Sequence, residues 1–298
     1  VFLAIYASLC PPPGFAEEKP LEAQLIANAT AVQSGKDLWL GVLVKLQPEW
    51  HIYWEYPGES GFATKVEWDL SELGTTSSQT LYPIPEKFLG AGDVVSYGYS
   101  GETLLMTRIP KVQPRAGASS VTVRAKARWL MCRAEECRDG RENLELTLPV
   151  GTPQGAHTEL FEKYEALLPM EARPDNVKEN IITSGNGYKI ELEVSPPSSG
   201  QLLAEKTPQA RGLEFFPLPP KGLTITVPEV TGATKKVQMG SESATVFTGK
   251  AHIKLEAKRS ARSTTGPLTL SGLLVQQTLS ENGTVGPLQA NKFSIQLP

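Results

Sequence analysis

The chain has 298 residues, with 29 Lys and Arg against 32 Asp and Glu, for a formal net charge of −3. A length about twice that of a typical domain points to two domains, and the near-balanced charge excludes a nucleic-acid binder built on a basic stripe. The 26 glycines and 24 prolines favour many short strands, while 3 cysteines and 3 histidines exclude a disulfide-dense scaffold and any site needing many thiol or imidazole ligands.

Residues 1–16, VFLAIYASLCPPPGFA, join the apolar run Val1–Leu9 to small residues at Gly14 and Ala16. This reads as the tail of a secretory signal peptide cleaved after Ala16. A buried amino-terminal strand is the competing reading, and Leu9 disfavours a lipid-bearing cysteine at Cys10. No later stretch reaches the ~20 apolar residues of a membrane-spanning helix. The expectation is an exported protein in a compartment where disulfides persist. Loss of the leader removes Cys10 and leaves Cys132 and Cys137.

Residues 17–152 read as a β-sandwich. Alternation runs through Asp37–Leu46, Leu104–Ile109 and Leu144–Leu148, and most cleanly through Val121–Trp129, where Val121, Val123, Ala125, Ala127 and Trp129 share one face. Pro48, Pro57-Gly58, Pro83, Pro85 and Gly90-Ala-Gly92 punctuate the strands. Residues 153–180 read as a helical linker: Leu160, Phe161, Tyr164, Leu167 and Leu168 fall at helical spacing, with Thr158 as the expected cap and Pro169 as the stop. Strand patterns resume over residues 181–298, at Tyr188–Val194, Leu223–Val227, Ala251–Ala257, Leu268–Val275 and Phe293–Leu297. The fold expected is all-β, two β-sandwiches in tandem. Tyr82-Pro-Ile-Pro85 and Phe216-Pro-Leu-Pro219 hint that the halves are related, yet the second carries no cysteine.

One strand ends at Cys132 and another begins soon after Cys137, so the four residues between them form a hairpin tip. Paired positions beside such a turn bring Cα atoms to ~5.5 Å, within disulfide range. A ring this short closes little chain entropy and is a weak staple, which favours a reversible redox pair over a fixed clip. Arg133 and Arg138 flank the cysteines and favour thiolates, while Glu135 and Glu136 oppose them. Zinc is not expected, because His51, His157 and His252 lie in separate segments, and no cofactor motif is present.

Four motifs in order carry a family likeness: Trp50-His51-Ile-Tyr53-Trp54 with Pro57-Gly58 and Gly61; Tyr82-Pro-Ile-Pro85-Glu-Lys-Phe88; Tyr97-Gly98-Tyr99; and Trp129-Leu-Met-Cys132 with Cys137. The series resembles the periplasmic amino-terminal domain of the DsbD and ScsB type of thiol:disulfide interchange proteins. The resemblance implies an immunoglobulin-like domain whose cysteine pair takes electrons from a membrane-embedded thiol reductase module and passes them to thioredoxin-fold periplasmic proteins. That module is expected from the same operon or from a carboxyl-terminal part of a longer chain. The resemblance also implies a cap loop that shields the cysteines, matched here by Tyr97, Gly98 and Tyr99, and it favours Cys137 as the sulfur that forms the mixed disulfide. The sequence departs from the pattern at Ser96, where an aromatic is usual, and in its Cys-x4-Cys spacing.

His51 reads as a strand histidine packed on aromatics, with a proton donor or ligand as the functional alternative. Trp129 reads as core, with redox shielding as the alternative. The function expected is a thiol:disulfide oxidoreductase relay, serving cytochrome c biogenesis, disulfide isomerisation or metal tolerance. The alternative is a non-catalytic binding module in which Cys132–Cys137 is a structural disulfide.

Overall fold

The computed structural model describes residues 19–76, 78–134, 136–198, 200–260 and 266–298. The leader expected over residues 1–16 lies outside them. Alternating side chains build the first half from β1 (Leu21–Ala27), β2 (Leu38–Leu46), β3 (His51–Gly58), β4 (Lys65–Asp69), β5 (Glu86–Leu89), β6 (Val95–Ser100), β7 (Glu102–Ile109), β8 (Ser120–Arg133) and β9 (Glu136–Pro149). One sheet runs β1-β2-β7 and the other β4-β8-β3-β6-β5, with β9 on the far edge of β8. Val121, Val123, Ala125, Ala127, Trp129 and Met131 of β8 point inward, and they share a core with Leu40, Val42 and Val44 of β2. Ile52 and Trp54 of β3 are fully buried in the same core. The all-β class expected from the alternation, with the immunoglobulin-like fold that the resemblance implies, is the class found.

The helix is shorter than its apolar spacing suggests. Helix α1 (Thr158–Glu165) ends well before Pro169, and Thr158 is its first residue; the cap position falls to His157, at a left-handed φ of 51°. Phe161 and Tyr164 pack on Ile26, Leu43, Leu104 and Met106, the face of the β1-β2-β7 sheet turned away from the core. The helix is therefore an added layer on the first sandwich.

The second half comprises β10 (Val177–Ser184), β11 (Gly187–Val194), β12 (Gln201–Leu202), β13 (Glu214–Leu218), β14 (Leu223–Ile225), β15 (Glu229–Thr231), β16 (Thr234–Met239), β17 (Glu242–Phe247), β18 (Ala251–Arg259), β19 (Leu268–Gln276), β20 (Thr278–Leu279) and β21 (Gln289–Leu297). Strand β10 begins inside the stretch expected as linker. Its residues Val177 and Ile181 pair with Val194 and Ile190 of β11, which supplies the apolar partners that the polar surroundings of β10 conceal in the sequence. Sheets β10-β11-β18-β14 and β13-β19-β21 enclose a separate core around Leu192, Ile253, Leu270 and Ile295. Phe216 and Pro217 lie within β13, whereas Tyr82–Pro85 precede the edge strand β5, so the two aromatic-proline segments are not in equivalent places. The halves meet directly. Phe216, Leu273, Val275 and Ala290 join the apolar cluster of the first sandwich, with Phe216 edge-on to Tyr97 at 5.2 Å and to Trp54 at 6.2 Å.

Burial of phenols ties stability to high pH. Burial raises Tyr82 to about 12, and it holds Tyr97, Tyr99 and Tyr164 above the ordinary tyrosine value. A pKa raised by folding gives stability that is complete below the unfolded value of about 10 and is lost as pH climbs through the folded one. The urea midpoint is expected to fall steeply between about pH 10 and 12, together with phenolate absorbance; a flat midpoint through that window would contradict this assignment.

Candidate functional site

Strand parity decides what surrounds the cysteines. β8 and β9 pair in register from Ser120↔Pro149 to Arg133↔Glu136, so the hairpin connection is only residues 134–135, and Ala134 takes a left-handed φ of 35°. The loop is two residues shorter than the four-residue tip read from the sequence. Cys132 and Cys137 are directly opposed and form a disulfide. Their Cα separation is 4.1 Å, nearer the close non-hydrogen-bonded pairing than the ~5.5 Å expected. This follows from a two-residue loop, whose flanking pair Arg133↔Glu136 takes the hydrogen-bonded position.

The two sulfurs are not equivalent. Cys132 is 4% exposed, while Cys137 is open to solvent. Cys132 is covered from β3, where His51 is its cross-strand partner and Tyr53 lies two residues further along the same face. The Tyr53 hydroxyl donates to Cys132 Sγ at 3.1 Å. Burial raises the Tyr53 pKa, so the phenol stays a proton donor across the neutral range. Gly61 lets the ring lie there: at φ 96°, a Cβ on it would stand 2.2 Å from the Tyr53 ring.

His51 continues the aromatic row. Its ring meets Tyr53 edge-on at 5.3 Å and stacks on Phe88 of β5 at 4.6 Å. Its Nε2 is buried without a hydrogen-bond partner, and burial lowers its pKa, which keeps the imidazole neutral. The packed-histidine reading fits this geometry. On the face of β8 and β9 that carries the cysteines, an open groove of about 720 Å³ runs past Lys65, Arg128, Leu130, Asp139 and Arg141, with Phe62 74% exposed at its rim.

The structure moves four expected site residues away from the sulfurs. Tyr97 and Tyr99 do not cap the disulfide. They are 4% and 5% exposed in the sandwich core, on the opposite face of β6, because Tyr53 pairs with Gly98 and the sulfur side of β6 therefore belongs to Gly98. Arg133 and Arg138 also face away. With Glu136 they occupy the other side of the hairpin, where both guanidinium groups lie over Trp50, at 4.8 and 5.5 Å, and both pair with Glu136, at 3.0 and 2.5 Å. The two arginines hold the Glu136 carboxyl below its usual range through their hydrogen bonds to it. Trp129 fills the core as read, separated from the disulfide by the sheet. Tyr53 and Phe88 are the site residues that the sequence reading quoted within motifs without assigning a role. The i, i+2 spacing of His51 and Tyr53 on one strand face was the available signal.

Gly98 has a structural task. A Cβ there would stand 1.9 Å from the Ile52 carbonyl oxygen, so β3 and β6 approach this closely only over glycine. Gly98→Ala is expected to destabilise the first sandwich by about 1–3 kcal/mol or more through overpacking. Urea denaturation checks this, and an unchanged midpoint would count against the close approach.

A disulfide with one buried and one open sulfur thus stands at the end of an immunoglobulin-like sheet. Residues 18–149 match the family described as thiol:disulfide interchange protein DsbD, N-terminal. The likeness read from the four motifs therefore stands over these residues. Among solved structures, the N-terminal periplasmic domain of ScsB from Proteus mirabilis is similar over 96% of this chain and 96% of its own, with 16% identity and a TM-score of 0.61. At that identity it shows the fold. The collagen adhesin from S. aureus covers 92% of this chain and 93% of its own at 7% identity, with a TM-score of 0.21 that carries no argument. No curated protein sequence matches the chain. Among the described residues, no helix is long and apolar enough to cross a membrane.

Proposed function

We propose that the chain is a periplasmic thiol:disulfide interchange protein in which Cys132 and Cys137 relay electrons from a membrane-embedded reductase module to thioredoxin-fold proteins. The observation that carries this reading is the asymmetry of the sulfurs, Cys137 open and Cys132 buried under a hydroxyl donor. To load the domain, a donor thiolate attacks Cys137 Sγ, the Sγ–Sγ bond breaks, and its electron pair leaves on Cys132 as a thiolate facing Tyr53. The donor's second thiolate then attacks the donor sulfur of the mixed disulfide, freeing Cys137 and closing the donor's own disulfide. Two electrons have passed, and solvent supplies the two protons of the dithiol. Delivery is the reverse sequence. Cys137 attacks an acceptor disulfide, and Cys132 then attacks Cys137 Sγ to release the acceptor as a dithiol.

Family resemblance and fold support the division into a redox sandwich over residues 17–152 and a cysteine-free sandwich over 181–298. The test is the reduction potential of Cys132–Cys137 in glutathione buffers. A value in the range of exchanging periplasmic proteins, roughly −120 to −230 mV, is expected; one below about −300 mV would mark a structural bridge and favour a non-catalytic binding module.

A further inference from the structure

Among the described residues, strand β5 is the edge of the larger sheet, four residues long and paired only with β6, yet it carries the Phe88 ring that stacks on His51. Short edge strands have few contacts of their own and open locally at low cost. Four contacts fix the entry to this one, the first being the Ile84 N–H, which donates to the Leu167 carbonyl at 2.9 Å. The Tyr99 hydroxyl donates to the Pro83 carbonyl at 2.8 Å, Arg211 Nη2 donates to the Pro85 carbonyl at 3.0 Å, and Lys206 Nζ lies 3.4 Å from the Glu86 carboxylate. The last two reach across from the second half.

Arg211 is held for this task. Its Nε and Nη2 both donate to Glu214 Oε2, at 2.9 and 2.5 Å, and its backbone N–H donates to Gln277 Oε1 at 2.7 Å. The Arg211 and Glu214 side chains are only 15% and 22% exposed, and the guanidinium lies 5.8 Å from the Phe216 ring centroid. Glu214 already balances the charge inside the second half, so the bond to Pro85 is an addition that the fold of that half does not require. Lys206 and Glu86 are 55% and 40% exposed, a pairing of little energetic weight, which leaves Arg211 as the cross-half anchor.

We propose that Arg211 is a positioning residue: by holding the Pro85 carbonyl it keeps Phe88 stacked on His51, and through His51 it keeps Tyr53 over Cys132. The cysteine-free half then has a defined role in the exchange chemistry, which is to maintain the inequality of the two sulfurs. This rests on the reading of Cys132–Cys137 as an exchanging pair.

The experiment alkylates the reduced full chain with iodoacetamide and follows each cysteine by mass spectrometry. In the parent protein Cys137 reacts first and Cys132 lags. In Arg211→Ala the Cys132 rate is expected to rise severalfold with Cys137 unchanged, and amide exchange in β5 to quicken. Arg211→Lys should restore part of the lag, and Phe88→Ala should reproduce the Arg211→Ala rate without adding to it in the double variant. Arg211→Met, which keeps the aliphatic stem and removes the donor, serves if the alanine variant does not fold. Unchanged Cys132 labelling in a folded Arg211→Ala or Arg211→Met protein overturns the proposal. So does a rise for both cysteines together, which would mean general loosening. If the parent disulfide does not exchange with thioredoxin-fold dithiols, the proposed function fails instead, and the labelling readout remains independent of it.

Discussion

Cys132→Ser is expected to capture a thioredoxin-fold partner as a long-lived mixed disulfide, and Cys137→Ser to capture none. The difference comes from access. Thiol–disulfide exchange needs a thiolate that reaches the sulfur it attacks, and Cys137 is open while Cys132 is 4% exposed. With Cys132 replaced, Cys137 still attacks the partner's disulfide, but no neighbouring thiol remains to attack Cys137 Sγ and release the partner. With Cys137 replaced, the remaining thiol lies beneath His51 and Tyr53, and turnover falls to background. Non-reducing electrophoresis and intact mass after mixing with an oxidised thioredoxin-fold protein check both outcomes. Equal capture by the two variants would show that the buried sulfur is as reachable as the open one, and the asymmetry would lose its meaning.

The strands and the cysteine hairpin were legible in the sequence because both are written in local alternation. Val121–Trp129 pairs every second side chain with the core, and the same count carried to Cys132 and Cys137 places them opposite each other. What was not legible depends on register between strands far apart in the chain. Tyr97 and Tyr99 flank a glycine, and only the pairing of Gly98 with Tyr53 shows that both rings point into the core. Arg133 and Arg138 adjoin the cysteines in sequence, and for that same reason they lie on the other side of the sheet, since neighbours in a strand face opposite ways. Phe88 reaches His51 through an edge strand whose entry is anchored by Arg211, 126 residues away from Pro85 in the chain, and no local pattern encodes that contact.

Tyr53→Phe is expected to raise the pKa of the Cys132 thiol and to make the disulfide harder to reduce. The hydroxyl lies 3.1 Å from Cys132 Sγ in a buried setting. A hydrogen bond to a charged group contributes about 1.5–3 kcal/mol, against much less for a neutral disulfide sulfur, which is a weak acceptor. At 1.36 kcal/mol per pKa unit the thiol should move up by about 1–2 units. The sign for the potential follows. The bond stabilises the thiolate of the reduced state more than the disulfide, so its loss makes the reduced state less favourable and lowers the potential by about 30–60 mV. That difference belongs to the thiolate. It should therefore be full above the raised pKa of the variant's Cys132 thiol, shrink as pH falls, and vanish below the native pKa, where both proteins carry a neutral thiol. Burial raises the Tyr53 pKa, so the phenol is a protonated donor through the neutral range. Attack on Cys137 by a small dithiol should slow by about tenfold, because the leaving sulfur is the one that has lost its donor. Thiolate absorbance against pH measures the first effect and glutathione equilibria at several pH values the second. A Tyr53→Phe protein with the parent titration, or with a potential offset that does not change with pH, would show that the hydroxyl only packs against the sulfur.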